Sequence, residues 1–193
     1  MLLYENNNFL GPQEFRFFQD STHGLSWYYR EDIVFGQETG TCFGFYREIY
    51  DHRGIQVPGL YEMSVMLVTK LLDESSLTLR ELRRIRLGMF TRYAHSVQHD
   101  AHTDYGDPHY TALFYLNTNN GFTSLYEKVK TPDEPWLQDR SPSKEELGQE
   151  YRIIPKENKI ILFDGLRYHS SSTQTDSNLR IVMNINFTAH DNK

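Results

Sequence analysis

Near the middle of the chain, His102 and Asp104 stand two residues apart in the stretch Val97-Gln98-His99-Asp100-Ala101-His102-Thr103-Asp104-Tyr105-Gly106. In an extended chain, residues at this spacing point to the same side. An imidazole and a carboxylate can then converge on one divalent ion of the first transition row. A second imidazole would complete a face of two histidines and one carboxylate, leaving three positions open for a bidentate cosubstrate and dioxygen. A closed four-ligand structural zinc site has no such room. His-x-Asp alone recurs by chance in roughly half of sequences with this histidine content, so the weight falls on what lies downstream. His169 follows the apolar run Ile160–Phe163 and the turn Asp164-Gly165, and Arg180 opens the run Arg180–Phe187. A guanidinium buried on such a strand needs an anionic partner, because an unpaired charge away from water is costly. A dicarboxylate would supply that partner through paired hydrogen bonds.

The elements that must position these groups are mostly short β-prone runs separated by Gly, Asn and Pro turns. The first part, 1–78, reads as a support layer of helices and strands. A helix is expected over Gln13–Asp20, with Phe15, Phe17 and Phe18 available to pack. Aromatic strands are expected around Trp27–Phe35 and Phe43–Tyr50. Pro58 opens the strongest helix, where Leu60, Met63, Leu67, Val68, Leu71 and Leu72 fall at three- and four-residue spacing. From 79 to 190 the pattern is that of strands: Leu82–Leu87 with Gly88–Tyr93 as one, then Thr111–Leu116, Phe122–Tyr126, Tyr151–Ile154, Ile160–Phe163 and Leu179–Phe187. Many short strands with few helices predict a mainly β fold, a sandwich or jelly roll backed by helices, in one domain spanning 1–193. The charged stretch Lys128–Gln149, with Pro132, Pro135 and Pro142, reads as a loop able to cover a site.

Composition narrows the function. With 24% charged and 38% hydrophobic residues, the 193-residue chain is of ordinary globular type. A formal charge of −6 gives no overall attraction to nucleic acid or anionic membranes. Cys42 is the only cysteine, which excludes an internal disulfide and a cysteine-based zinc site. The start, MLLYENNNFLG, lacks the basic and apolar regions of a signal peptide, and the apolar run Ala112–Leu116 is too short to span a bilayer. A soluble, reduced, cytoplasmic setting is expected.

From about Ile85 to Phe187, just over half its length, the chain resembles the 2-oxoglutarate- and Fe(II)-dependent oxygenases, especially their prolyl-hydroxylase-like branch. The resemblance is carried by Tyr93, His102-Thr-Asp104, Thr111 with Tyr115-Leu116-Asn117, Gly121-Phe-Thr123, Pro155 with Phe163, His169 and Arg180, in the family's order. The string Tyr115-Leu-Asn-Thr-Asn-Asn-Gly121-Phe-Thr, with Phe163-Asp-Gly165, is most similar to oxygenases of marine cyanophages, which implies a phage origin and a host cytoplasm. The resemblance implies a double-stranded β-helix, with Fe(II) held by His102, Asp104 and His169. It also implies 2-oxoglutarate as cosubstrate, its distal carboxylate paired with Arg180 and hydrogen-bonded by Tyr115, with Tyr93 lining the same pocket. The reaction implied consumes O2, releases succinate and CO2, and returns a hydroxyl group to the substrate, with no acid–base or nucleophilic residue beyond the metal centre. Two departures fall in turns: Asn120-Gly121 replaces two glycines and Asn158 replaces one, and asparagine tolerates positive φ at either place. Asn186 stands where prolyl hydroxylases tend to carry tryptophan, which weakens a prolyl assignment.

Other residues carry weaker signals. Tyr105, His109 and Asn186 are candidates for contact with substrate, although His109, beside Pro108, reads more readily as a turn residue. His95 and His99 have the spacing of a helical zinc site without its glutamate, and read as loop residues or as supports of the metal ligands. The arginines at 80, 83, 84, 86 and 92 read as a solvated strand face paired with neighbouring acids, or as a guide for an anionic partner. The leading function is hydroxylation of a peptide or protein side chain, proline among the candidates. A small metabolite is the alternative substrate, and a jelly-roll module that merely keeps a metal is the non-enzymatic one. Nucleobase demethylation is disfavoured by the acidic charge and by Asn186, where that branch usually has a second arginine.

Overall fold

A computed structural model describes residues 2–33, 43–134 and 142–192. Cys42, the end of the expected strand Trp27–Phe35 and the middle of the expected covering loop Lys128–Gln149 lie outside those residues. In chain order the elements are β1 (Leu2–Asn6), α1 (Pro12–His23), β2 (Tyr28–Arg30), β3 (Gly44–Asp51), β4 (Gly54–Ile55), α2 (Pro58–Ser75) and β5 (Leu77–Thr91). They continue with β6 (Tyr110–Tyr115), β7 (Thr123–Val129), α3 (Lys144–Leu147), β8 (Glu150–Ile153), β9 (Lys159–Asp164), β10 (Arg167–Ser171) and β11 (Leu179–Asp191). Among the described residues, no helix is long and apolar enough to cross a membrane.

Two antiparallel sheets result. The larger runs β1-β9-β6-β11-β5-β3-β2, with β4 added on β3, and the smaller runs β10-β7-β8. The period-two alternation of strands explains why the central runs are apolar without a break. Ala112 and Phe114 of β6, Ile160 and Leu162 of β9, and Met183 and Ile185 of β11 pack in one cluster with Leu60, Leu67, Val68 and Leu71 of α2. Their neighbours Leu113, Tyr115, Ile161, Phe163 and Val182 pack in a second cluster with Leu125 and Ile153 of the smaller sheet. Both faces of the large sheet are therefore buried, one by helices and one by the second sheet.

The helices form where local chemistry favours them. Helices α1 and α2 each have proline in the first turn, where a missing N–H costs nothing. Helix α1 runs past the expected Asp20 to His23 and stops at Gly24. Helix α2 ends at Ser76, whose φ of 57° turns the chain so that its N–H donates to the Asp73 carbonyl at 3.3 Å. The first 78 residues do more than back the sheet, since β1 and β3 are strands of it. Asn158 has φ 62°, as a glycine substitute in a turn would. Its side chain also accepts from Leu10 N at 2.9 Å and donates to Leu10 O at 2.8 Å, tying the N-terminal segment to the turn before β9. Asn120 keeps a negative φ, so no left-handed turn is needed there.

Phe114 is fully buried and meets the rings of Phe9, Phe15 and Phe18 edge-on at 6.5, 5.9 and 5.6 Å. Truncation leaves a cavity that the three rings, two on α1 and one in the segment before it, cannot close. Phe114→Ala is expected to cost about 3–5 kcal/mol, measured by urea unfolding. Leu3→Ala, at an exposed position on β1, should change stability by less than about 0.5 kcal/mol.

Candidate metal centre

His102 and His169 are brought together by backbone rather than by side-chain packing. His102 N donates to His169 O and His169 N to His102 O, both at 2.9 Å, so the segment before β6 is bridged to β10. Their ring centroids lie 4.6 Å apart. Asp104 arrives two residues later through a bend and not along a strand, and its Oδ2 sits 3.7 Å from His169 Nε2. One ligand atom from each of the three residues lies within 4.8 Å of the other two. Two imidazole nitrogens and a carboxylate oxygen suit Fe(II), and three further coordination positions would stay open.

The Asp104 carboxylate is held from behind by the large sheet. Arg84 donates to its Oδ1 at 2.7 Å, while Asn186 and Asn184 donate to Oδ2 at 2.9 and 3.1 Å. Arg84 Nε also donates to Asn186 Oδ1 at 3.0 Å, and Asn186 donates to Thr111 Oγ1 at 3.0 Å. Burial opposes ionisation of Asp104, but the guanidinium charge of Arg84, with Arg86 adding to it, holds its carboxyl well below the usual range. It is therefore a carboxylate at neutral pH. Burial, reinforced by His169, pushes His102 down to about 4, so its imidazole is neutral and its lone pair free for a metal.

Strand register puts a cavity beside this cluster. Residues 180, 182, 184 and 186 of β11 pair with 90, 88, 86 and 84 of β5, so Arg180, Val182, Asn184 and Asn186 share the inner face with Phe90, Gly88, Arg86 and Arg84. The cavity, about 550 Å³ of empty space open to solvent, has His102 and His169 in its wall together with Thr123, Arg180, Phe90 and Leu113. Arg180 is 1% exposed. Its guanidinium donates to Thr123 Oγ1 at 3.0 Å and to Ser172 O at 3.3 Å, while its Nε has no acceptor. Among the described residues no carboxylate pairs with it, and burial lowers its pKa. Tyr115, also fully buried, donates to the same Thr123 oxygen at 2.9 Å, and burial pushes its phenol up to about 12. A Cβ on Gly121 would stand 3.1 Å from Arg180 Cδ and 3.2 Å from Ser172 O, so the missing side chain is what lets the arginine lie there.

The remaining expectations fare differently. Asn186 is fully buried behind Asp104, so it holds the carboxylate and cannot meet a substrate. Tyr93 lies outside the cavity wall, its hydroxyl accepting from Phe43 N at 3.3 Å. His109 is buried against Gly165, where any Cβ would come within 2.2 Å of its ring. Tyr105 sits edge-on to His109 at 5.2 Å and under the guanidinium groups of Arg83 and Arg84, outside the cavity wall. His95 is exposed, whereas His99 is buried, with Nδ1 2.7 Å from Ser171 Oγ and Nε2 without a partner. The arginine cluster divides: Arg80 and Arg92 are exposed and Arg83 pairs with Asp107 and Glu81, as a solvated face would, whereas Arg84 grips Asp104 and Arg86 lines the cavity. Asn184 has no signal of its own in the sequence, Thr123 appears there only within a motif, and Arg84 and Arg86 only within the arginine cluster. The available signal was polar residues at every second position of strands otherwise apolar on both faces.

The sequence matches no protein-family model and no curated protein. Solved structures share its fold. An oxidoreductase of the 2OG-Fe(II) oxygenase family from Burkholderia pseudomallei aligns at TM-score 0.65 and 12% identity, covering 94% of this chain and 82% of that one. The non-heme α-ketoglutarate-dependent epimerase SnoN from nogalamycin biosynthesis aligns at 0.67 and 10%, covering 95% and 75%. SnoN is also solved with Fe3+, α-ketoglutarate and nogalamycin RO. A prolyl-4-hydroxylase from Pseudomonas putida aligns at 0.57 and 14%, covering 96% and 91%. The architecture is therefore the double-stranded β-helix of these oxygenases, mainly β with supporting helices.

Two outcomes follow for the metal-free protein and its ligands. Asn186→Ala removes a donor to Asp104 and leaves Arg84 Nε without its acceptor, so divalent-metal affinity should fall about 10–100-fold, read by calorimetry with Mn(II). His99, pushed down to about 3 by burial, and His102, pushed down to about 4, are neutral when folded but take up protons near 6.5 when unfolded. The unfolded chain then binds more protons across that window, so stability is full above pH 6.5 and is lost as pH falls toward these values. Each histidine contributes a slope of up to about 1.4 kcal/mol per pH unit. Urea unfolding at several pH values measures it, and His99→Gln should remove about half of this contribution to the slope.

Proposed function

We propose that the chain is a non-haem Fe(II)- and 2-oxoglutarate-dependent dioxygenase that hydroxylates a peptide or protein side chain, with succinate and CO2 as co-products. The observation that carries this reading is a fully buried arginine with no anionic partner among the described residues, in the same cavity as a two-histidine, one-carboxylate cluster. A buried guanidinium with an orphaned Nε is costly unless a ligand completes it, and a dicarboxylate has the charge and the shape to do so.

In this reading His102, Asp104 and His169 hold the iron, and Arg180 receives the distal carboxylate of the cosubstrate. Bound together, the metal and 2-oxoglutarate supply the activation of dioxygen by oxidative decarboxylation. The residues of the chain position and protect. Arg84, Asn184 and Asn186 keep the Asp104 carboxylate ionised and aimed. Thr123 accepts from both Arg180 and Tyr115, so its own proton is free to donate to a bound carboxylate. Phe90, Leu113 and Val182 form an apolar wall that limits water around the reacting groups.

The peptide reading is supported by the likeness to the Pseudomonas putida prolyl-4-hydroxylase. The likeness to SnoN supports a small-molecule substrate as the second reading. Action in the cytoplasm, a host's if the gene is phage-borne, is part of the proposal and rests on the sequence resemblance alone. Mass spectrometry of candidate peptides, paired with succinate release, separates the two substrate classes.

Anaerobic addition of Fe(II) and 2-oxoglutarate should produce the visible metal-to-ligand absorption band of the chelate. His102→Ala and Asp104→Ala should abolish it. Arg180→Gln, checked for folding by circular dichroism, should keep metal binding and weaken 2-oxoglutarate about 10–100-fold. A wild-type protein that binds Fe(II) and 2-oxoglutarate without that band would refute the chelate, and with it the oxygenase.

A further inference from the structure

A second cleft lies against the large sheet where β2, β3 and β5 meet, lined by Arg30, Arg47, Arg53, Arg86, Tyr28 and Glu48 among others. Four arginines against one glutamate stand out in a chain whose formal charge is −6. Arg53 is engaged, paired with Asp51 at 2.6 Å. Arg47 donates to Tyr28 OH at 3.2 Å, but its buried Nε has no acceptor. Arg86 makes no hydrogen bond and no ion pair among the described residues, and its guanidinium lies 4.5 Å over the ring of Tyr46.

Glu48 is the strand-register partner of Arg86 and the obvious internal counter-charge. It does not close the pair: no oxygen of Glu48 comes within 4.0 Å of Arg86, and Glu48 Oε2 is buried without a donor. Burial raises its carboxyl pKa, with Arg86 acting in the opposite direction. Two residues earlier on the same face, Arg84 shows what a satisfied arginine looks like here, at 2.7 Å from Asp104. Five guanidinium donors without an acceptor are left facing open space on a partly buried face.

Arg86 and Tyr46 line this cleft and also the cavity that holds His102, His169 and Arg180. A molecule anchored on Arg86 therefore stands at the boundary shared by the cleft and the cavity of the metal ligands. Arg180 is on the opposite strand of the pair, at the register of Phe90, with Gly88 between that position and Arg86 along β5. The two arginines are thus separate anchors along one cavity. We propose that the substrate carries an anionic group, a carboxylate or phosphate, received by Arg86 and Arg47 in this cleft while its reacting carbon extends toward the metal ligands. This rests on the oxygenase reading of the site. The anion is either an acidic side chain of a peptide or the charged group of a small molecule, and either meets the guanidinium fork in the same way.

The probes are inorganic phosphate and a terminally blocked Gly-Asp-Gly peptide, each titrated by calorimetry into metal-free full-length protein at constant ionic strength. At least one should bind the wild type, weaken about tenfold or more in Arg86→Gln and in Arg47→Gln, and persist in Arg180→Gln. Arg86→Lys, which keeps the charge, should retain part of the affinity. The preferred probe identifies the source of the anion. Absence of binding, or equal binding in wild type, Arg86→Gln and Arg47→Gln, overturns the proposal, as does binding lost only in Arg180→Gln. The Fe(II)–2-oxoglutarate band should survive in Arg47→Gln, which lies outside the wall of the metal cavity; its loss there would assign the cleft to the cosubstrate and sink the proposal. If the wild type lacks the band yet binds the probe through Arg86, the oxygenase reading fails and the anion site stands.

Discussion

The ion pair between Arg84 and Asp104, 2.7 Å long and shielded from solvent, is the contact on which the site depends. A carboxylate in the interior of a β-sandwich would ordinarily take up a proton, and a protonated acid is a poor metal ligand. Arg84 prevents that by charge, and Asn184 and Asn186 by hydrogen bonds to the other oxygen. All three supports come from two neighbouring strands, β5 and β11, in a register that sets residue 84 opposite 186 and 86 opposite 184. A slip of one residue would turn every one of these polar groups toward α2 and its apolar cluster. Fold and site are therefore fixed by the same pairing.

The inner face concentrates positive charge. Arg84, Arg86 and Arg180 all share it, and among the described residues only Arg84 finds a carboxylate there. The surrounding packing does little to relieve the other two, since Phe90 and Tyr46 offer ring faces at 5.5 and 4.5 Å, worth far less than an ion pair. Unpaired guanidinium groups on a largely covered face cost stability. Local rules are broken where function requires it, as buried polar residues on apolar strands usually indicate.

Much of this was legible in the residues. The run Thr111–Leu116, the proline-led helix from Pro58 and the strand from Leu179 all appear within a few residues of their expected limits, because apolar spacing reports burial directly. Strand β10 was not anticipated although it carries His169: Arg-Tyr-His-Ser-Ser has little apolar content, and its pairing with β7 gives it shape. The short β1 was missed for a similar reason, being stabilised by β9 rather than by its own composition. Arg84 and Arg86 looked like part of a solvated face because sequence alone does not say that a strand is covered on both sides.

What the sequence determined by itself was the list of metal-ligand types, their order, and the β-rich class of fold, since these follow from residue chemistry and local periodicity. Tertiary structure decided which of them meet. His102 faces His169 only because two backbone hydrogen bonds bridge segments far apart in the chain. Asn186 became a support for Asp104, and Arg86 was left without a paired carboxylate among the described residues, through strand register across the sheet. Side-chain type is a local property. Burial and partnership are non-local, and a charge acquires its meaning only from what the folded chain places beside it.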